Sequence, residues 1–222
     1  MMRVLVIGAS RGIGLEFVRQ YREQGHEVTA TAREDAGLAR LQELGAKALA
    51  LDLLDARQCA GLAWKLDGER FDVLILNAGV YGADKAAPSP PTQTEFDLVM
   101  HTNVLGPMRV LPALTDCLAQ GAKLALLSSR MGSIGLRTSP NGWLYRASKA
   151  AANSVLKDAS IAFGGRAVCV AFHPGWVKTD MGGGQAELSP LDAVRGMREV
   201  LGKLRLTDNG SFLNHNGEPI AW

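Results

Sequence analysis

The 222-residue sequence predicts a single doubly wound α/β domain, with a mostly parallel seven-stranded sheet flanked by helices. Three observations predict it. Short β-branched apolar runs alternate with longer helical patterns, which is how strands covered on both faces are written. A glycine-rich turn joins the first apolar run to the first helical pattern. No internal repeat, linker or low-complexity stretch divides residues 1–222.

The elements follow in order. Arg3–Ile7 (RVLVI) reads as a buried strand, and a helix runs from about Gly12 to Gln24. Gly25 punctuates before a second strand, Glu27–Ala32. A helix over Asp35–Leu44 stops at Gly45, before the strand Ala48–Leu51. Ala56–Leu66 reads as a helix and Val73–Leu76 as the fourth strand. The density of Gly, Pro and Ser makes Gly79–Pro91 a loop. Thr94 to about Gln120 reads as helical, with Pro107 and Pro112 forcing a kink or break. Lys123–Leu127 is the fifth strand, Gly142–Phe163 a long helix and Ala167–Phe172 the sixth strand. Gly182–Gly184 links to a last helix, Pro190–Leu204, and a short tail strand.

Composition excludes several classes of function. The 24 basic and 22 acidic residues leave a net charge of +2 with no Lys/Arg run, which excludes a nucleic-acid partner. Cys59, Cys117 and Cys169 are odd in number and widely spaced, which fits a reducing, cytoplasmic setting. There is no metal-ligand spacing among the cysteines or among His26, His101, His173 and His215, so no metal is expected. The apolar run Val4–Ile7 is too short for a signal peptide or a membrane span. The 25 glycines exceed the average share of about 7% and need a cause.

Part of that cause is the turn Gly8-Ala9-Ser10-Arg11-Gly12-Ile13-Gly14 between the first strand and first helix. Glycines there permit a tight turn and close approach of a pyrophosphate to backbone N–H groups at a helix start. Further along come Asn77-Ala78-Gly79 after strand four, Asn103, Ser128-Ser129 ending strand five, Tyr145-Arg146-Ala147-Ser148-Lys149, and His173-Pro174-Gly175-Trp176-Val177-Lys178-Thr179-Asp180-Met181. In this order the motifs resemble those of the short-chain dehydrogenase/reductase family, over nearly the whole chain. Within it the chain looks most like the sniffer- and C-factor-like carbonyl reductases. The resemblance implies a Rossmann-type fold, with Asn77-Ala78-Gly79 at the adenine edge and Asp52, beside Leu53, contacting the adenine. Pro174, Gly175, Val177 and Thr179 fall at the nicotinamide end. For Asp52 a helix-cap role is the alternative.

YxxxK occurs twice, at Tyr81–Lys85 and Tyr145–Lys149. The first lies in the loop, where the spacing fixes no geometry. The second lies on a helix, where i and i+4 share a face, so a cation there lowers the phenol's pKa. Reduction of a carbonyl needs hydride and a proton donor. By the resemblance Tyr145 donates the proton, Lys149 tunes it and binds ribose, and Asn103 organises a water relay through Lys149. A serine hydroxyl holds the substrate oxygen, and two are in range. Ser129 stands sixteen residues before Tyr145, at the end of strand five, whereas Ser133 stands at the family's usual spacing of twelve. Strand geometry favours Ser129.

Arg33, just after strand two, suits the 2′-phosphate of NADP(H), and Arg11 adds a second cation. Glu34 stands where NAD(H) enzymes carry an acid, although a helix's first turn also favours one, so NAD(H) stays open. Trp143, Trp176 and Met181 flank the motifs and are candidates for an apolar carbonyl pocket, with ordinary packing as the alternative; residues 176–205 are the expected substrate lid. The expected activity is NADPH-dependent reduction of a small-molecule aldehyde, ketone or quinone, reversible toward alcohol oxidation. The alternative is a C-factor-like signalling protein that binds nucleotide and acts through partners. By the resemblance the chain forms a homodimer or homotetramer.

Overall fold

The computed structural model describes residues 1–83 and 89–222. Lys85 and the middle of the Gly79–Pro91 loop lie outside the described residues. Seven strands form one sheet in the order β3-β2-β1-β4-β5-β6-β7, every neighbouring pair parallel. They are β1 (Arg3–Ile7), β2 (Glu27–Ala32), β3 (Lys47–Ala50), β4 (Phe71–Leu76), β5 (Leu118–Leu127), β6 (Ala167–His173) and β7 (Ser211–Asn214). The order reverses between β1 and β4, so a crevice opens above their carboxyl ends.

Side-chain alternation explains why the strands are apolar throughout. Leu5, Ile7, Leu74 and Leu76 face one core, closed by α3 (Ala56–Ala60), α4 (Leu62–Lys65), α6 (Gly106–Ala113) and α7 (Trp143–Ala162). Val4, Val6, Val73 and Ile75 face the other, closed by α1 (Gly12–Glu23), α2 (Asp35–Glu43) and α8 (Pro190–Lys203). The three cysteines are buried and unpaired.

Two long stretches depart from the sequence reading. The helix expected over Ala56–Leu66 breaks at Gly61 into α3 and α4. The helix expected over Thr94–Gln120 is three pieces. Thr92 and Glu95 form a capping box that starts α5 (Gln93–Met100). Next, His101–Leu105 widens into a π-helical turn just before Pro107, which has no N–H to donate to the preceding turn. α6 then runs to Ala113, and a 3₁₀ turn over Thr115–Cys117 leads into β5 five residues earlier than expected. The added strand residues, Leu118–Ala122, escaped the reading because they pair out of step: Phe71 faces Leu118 while Val73 faces Lys123, a bulge that hides strand periodicity.

Candidate active site

The crevice is built first from backbone. After β1, Gly8 adopts φ +85°, a region that favours glycine. Its N–H donates to Thr31 Oγ1 (2.9 Å), that of Ala9 donates to the Thr31 carbonyl (2.8 Å), and Asn77 Nδ2 donates to the Gly8 carbonyl (2.6 Å). A Cβ on Gly14 would stand 2.3 Å from that same carbonyl, so the packing accepts no side chain there. Arg11 is the N-cap residue of α1, and no side chain caps the helix start. The first-turn N–H groups and the helix's positive end therefore face the turn, and the site fits a pyrophosphate. Ser10 lies within this turn against Gly37, and Ile13 packs on the core beneath it.

The cations near the turn are engaged. Arg33 pairs with Glu34 at 2.8 Å and Arg11 with Asp180 at 2.7 Å, both pairs exposed. Glu34 is the N-cap residue of α2, yet its carboxylate caps nothing and reaches Arg33 instead. Asp52 accepts from the Leu54 N–H at 3.0 Å, while Asp55 caps α3, so the helix-cap alternative for Asp52 is overturned. Leu53 and Val177 bury their side chains in the core, which leaves only their backbone for a ligand. The N–H groups of Asn77 and Ala78 both donate to the Ile7 carbonyl, fixing β4 against β1. A Cβ on Gly79 would lie 3.2 Å from Lys149 Nζ and 3.3 Å from Asn103 Oδ1.

The second part is built from side chains. Tyr145 and Lys149, one turn apart on α7, are both buried. The Ser129 side chain lies near enough to the Tyr145 phenol to pull its pKa down. Lys149 Nζ donates to the Leu127 carbonyl at the end of β5 (2.8 Å) and lies 5.7 Å from the centre of the Tyr145 ring. Burial pushes Tyr145 up to about 12, against the pull of Ser129, and pushes Lys149 down to about 8. The expected lowering of the phenol by the lysine is thus corrected: desolvation raises it, and the opposing pull comes from Ser129.

Ser133 is fully buried, accepts from the Leu136 N–H and donates to the Trp222 carbonyl. Asn103, in the π-helical turn, accepts from the Val80 N–H and donates to the Val80 carbonyl and Ser148 Oγ (2.8, 2.8 and 2.9 Å). Those bonds pin the loop after β4; they do not reach Lys149. That loop brings in Tyr81, set aside in the sequence as half of a chance motif. Its ring lies 4.7 Å from that of Tyr145, tilted by 37°. The signal available was its place two residues beyond Gly79.

Trp143, Trp176 and Met181 are 45%, 53% and 50% exposed, so none is ordinary core packing. Trp176 Nε1 donates to the Gly182 carbonyl, and Val177 bridges Leu188. Thr179 lies against Gly12, joining this loop to the turn after β1. Pro174 and Gly175 follow β6 at the same end of the sheet. A Cβ on Gly182 would collide with the Val177 carbonyl, so that glycine serves a tight turn. Of the expected lid, residues 190–203 are helix α8, with Val194, Met197 and Leu201 in the core. Among the described residues no group of three or more His, Cys, Asp or Glu could hold a metal, and no helix is long and apolar enough to cross a membrane.

A glycine turn and an uncapped helix start at the switch point of a doubly wound sheet define a dinucleotide-binding, Rossmann-type protein. The chain belongs to the short chain dehydrogenase family, whose sequence pattern matches residues 2–188, and it is an oxidoreductase by that membership. It is similar to the C-signal of Myxococcus xanthus, 40% identical over 154 residues that cover 68% of this chain and 92% of the relative. Among solved structures it is similar to the carbonyl reductase Sniffer of D. melanogaster, with TM-score 0.92 and 29% identity over 100% of both chains. It is also similar to a short-chain dehydrogenase/reductase from Burkholderia multivorans with bound NADP, with TM-score 0.90 and 31% identity over 100% of this chain and 99% of that one.

Proposed function

We propose that this chain is an NADPH-dependent carbonyl reductase acting on a small aldehyde, ketone or quinone, and reversible toward the alcohol. The observation that carries the reading is the buried pair Tyr145 and Lys149, one helical turn apart on α7, with Lys149 tied to the end of β5 and Ser129 near the phenol, at the carboxyl ends of the strands. The dinucleotide supplies the hydride when bound. Tyr145 stays protonated at neutral pH because burial holds its pKa at about 12, so it can protonate the oxygen that becomes the alcohol. Ser129 holds that oxygen. Lys149, at about 8, is still mostly cationic at pH 7 and can stabilise the phenolate left by proton transfer. It also binds the ribose, as the family resemblance implies. Asn103 fixes the loop bearing Gly79, Val80 and Tyr81.

Arg33 takes the 2′-phosphate, exchanging its exposed and therefore weak pairing with Glu34 for a dianion. The NADP in the Burkholderia neighbour supports this preference over NAD(H). Trp143, Trp176 and Met181 line the substrate side, and residues 176–189 cover it. The protein works in the cytoplasm, where three unpaired cysteines are at home. It assembles as a homodimer or homotetramer, which would cover the exposed Phe96, Met108 and Ile161 of α5, α6 and α7.

NADPH oxidation over an aldehyde, ketone and quinone panel tests the reading. Turnover by the natural sequence should fall by about 10²- to 10⁴-fold in Tyr145→Phe. Turnover unaffected by that substitution would refute the proton-donor role. NADPH binding with no turnover on any carbonyl would favour the second reading, a nucleotide-binding signalling protein, which the similarity to the C-signal supports.

A further inference from the structure

The chain does not stop at β7. Asn214 and Gly217 close a turn, with the Gly217 N–H on the Asn214 carbonyl (2.9 Å) and the Asn214 N–H on the Glu218 carbonyl (2.8 Å). Residues 218–222 then run back along β7: Leu213 bridges Pro219 in antiparallel fashion, and the Ile220 N–H donates to the Phe212 carbonyl at 2.8 Å. The Trp222 ring stacks on Phe212, with centroids 5.4 Å apart and planes 25° from parallel. Phe212 is itself fully buried in the core, so the stack is anchored.

The Trp222 carbonyl accepts two hydrogen bonds, from the Gly135 N–H at 3.2 Å and from Ser133 Oγ at 3.4 Å. Both donors lie on the loop that leaves Ser129. The first part of that loop is internally tied: the Met131 N–H donates to Ser129 Oγ (3.1 Å), the Gly132 N–H to the Ser129 carbonyl (2.8 Å), and the Ser133 N–H to the Arg130 carbonyl (3.0 Å). It abuts the backbone of Lys149 so closely that a Cβ on Gly132 would stand 2.9 Å from the Lys149 carbonyl carbon. Movement at Ser133 is therefore transmitted to Ser129. At its other end the returning segment places His215 against Gly175, on the loop after β6.

We infer that residues 214–222 form a strap that positions the Ser129 loop, with Trp222 and Ser133 as its positioning residues. The inference rests on the reading of Ser129 as the group that holds the substrate oxygen. It also explains why a serine twelve residues before Tyr145 makes no bond to it: Ser133 is the strap's attachment point. The plainer account is that the tail only covers the outer edge of β7. In that case loosening it lowers stability and leaves the chemistry alone.

The experiment uses the full chain carrying Trp222→Ala, Trp222→Phe or Ser133→Ala. It measures hydrogen–deuterium exchange, kcat and KM on a carbonyl the natural sequence turns over, and the NADPH Kd. Trp222→Ala and Ser133→Ala should speed exchange over residues 130–136 and leave residues 3–23 unchanged. They should lower kcat on the order of tenfold, short of the roughly hundredfold that a 1 Å displacement costs. The NADPH Kd should stay within about twofold, and Trp222→Phe, which keeps the stack, should recover most of kcat. Unchanged exchange over 130–136, or kcat unchanged despite faster exchange there, would overturn the strap. A natural sequence that turns over no carbonyl would instead sink the reductase reading, and exchange over 130–136 would still decide the strap.

Discussion

The two sides of the crevice are held by different means. The turn after β1 is held through its own backbone: glycines that admit no side chain, and hydrogen bonds from its N–H and carbonyl groups to Thr31 on β2 and to Asn77 just past β4. The loop after β5 is held by residues far along the chain, with the Tyr145 side chain on one flank and the Trp222 carbonyl, anchored by its stacked ring, on the other. A ligand needing repeated N–H donors is met by a rigid backbone cradle. A reaction needing one proton at one atom is met by a few side chains whose placement depends on distant packing. Damage to the first should therefore appear in cofactor binding, and damage to the second in the catalytic rate.

Substitutions on each side test that division. On the backbone side, Gly14→Ala places a Cβ 2.3 Å from the Gly8 carbonyl. Overpacking of this kind costs about 1–3 kcal/mol, and expressed at the turn it weakens NADPH binding by roughly 10- to 100-fold. Fluorescence titration should show that weakening along with a lower Tm, and a Kd like that of the natural sequence would contradict the cradle. On the side-chain side, Ser129→Ala should lower kcat by about a hundredfold with NADPH Kd unchanged. Ser133→Ala should lose less, and a larger loss from it would reverse the assignment.

The buried lysine gives a test through pH. Its folded pKa, about 8, lies below the unfolded value of 10.5, so between those values the unfolded chain holds more protons. Lys149 thus destabilises the fold below about pH 8, and that penalty is relieved as pH rises toward 10. Tyr145, raised from 10.0 to about 12, acts in the opposite sense: it stabilises below pH 10 and loses that contribution on the way to 12. Urea unfolding from pH 7 to 10 should show a rise in stability of up to about 2–3 kcal/mol that Lys149→Met lacks. An identical profile for both proteins would mean that the lysine is better solvated than its burial implies. The smallest effect belongs to the exposed Arg33. Arg33→Ala should raise the KM for NADPH about tenfold and leave NADH nearly unchanged. Equal changes for both cofactors would remove its role in choosing between them.

The same division governs what the sequence made legible. The strands, the glycine turn and the Tyr145–Lys149 face could be read because their causes are local: alternating apolar runs, steric need at Gly8 and Gly14, and a helical period. The choice between Ser129 and Ser133 rests on where strand five ends, which is a local cue. Other features had no local signature. Ser133 is held by a residue 89 positions away, and the acids Glu34 and Asp180 engage the cations expected to be free. The shift of Tyr145 depends on burial, which the i,i+4 spacing of the motif does not contain. Pro107 signalled a break in the helix but not that it would open into the π-helical turn carrying Asn103.

The central claim is that hydride moves from the dinucleotide to a carbonyl carbon while Tyr145 supplies the proton. Incubation of the chain with NADPH deuterated at both C4 positions and an accepted aldehyde or ketone, followed by mass spectrometry of the product, tests this most directly. The account predicts one deuterium on the carbinol carbon of the alcohol, with product formation lost in Tyr145→Phe. Unlabelled alcohol, or labelled alcohol formed as fast without the tyrosine hydroxyl, would contradict it.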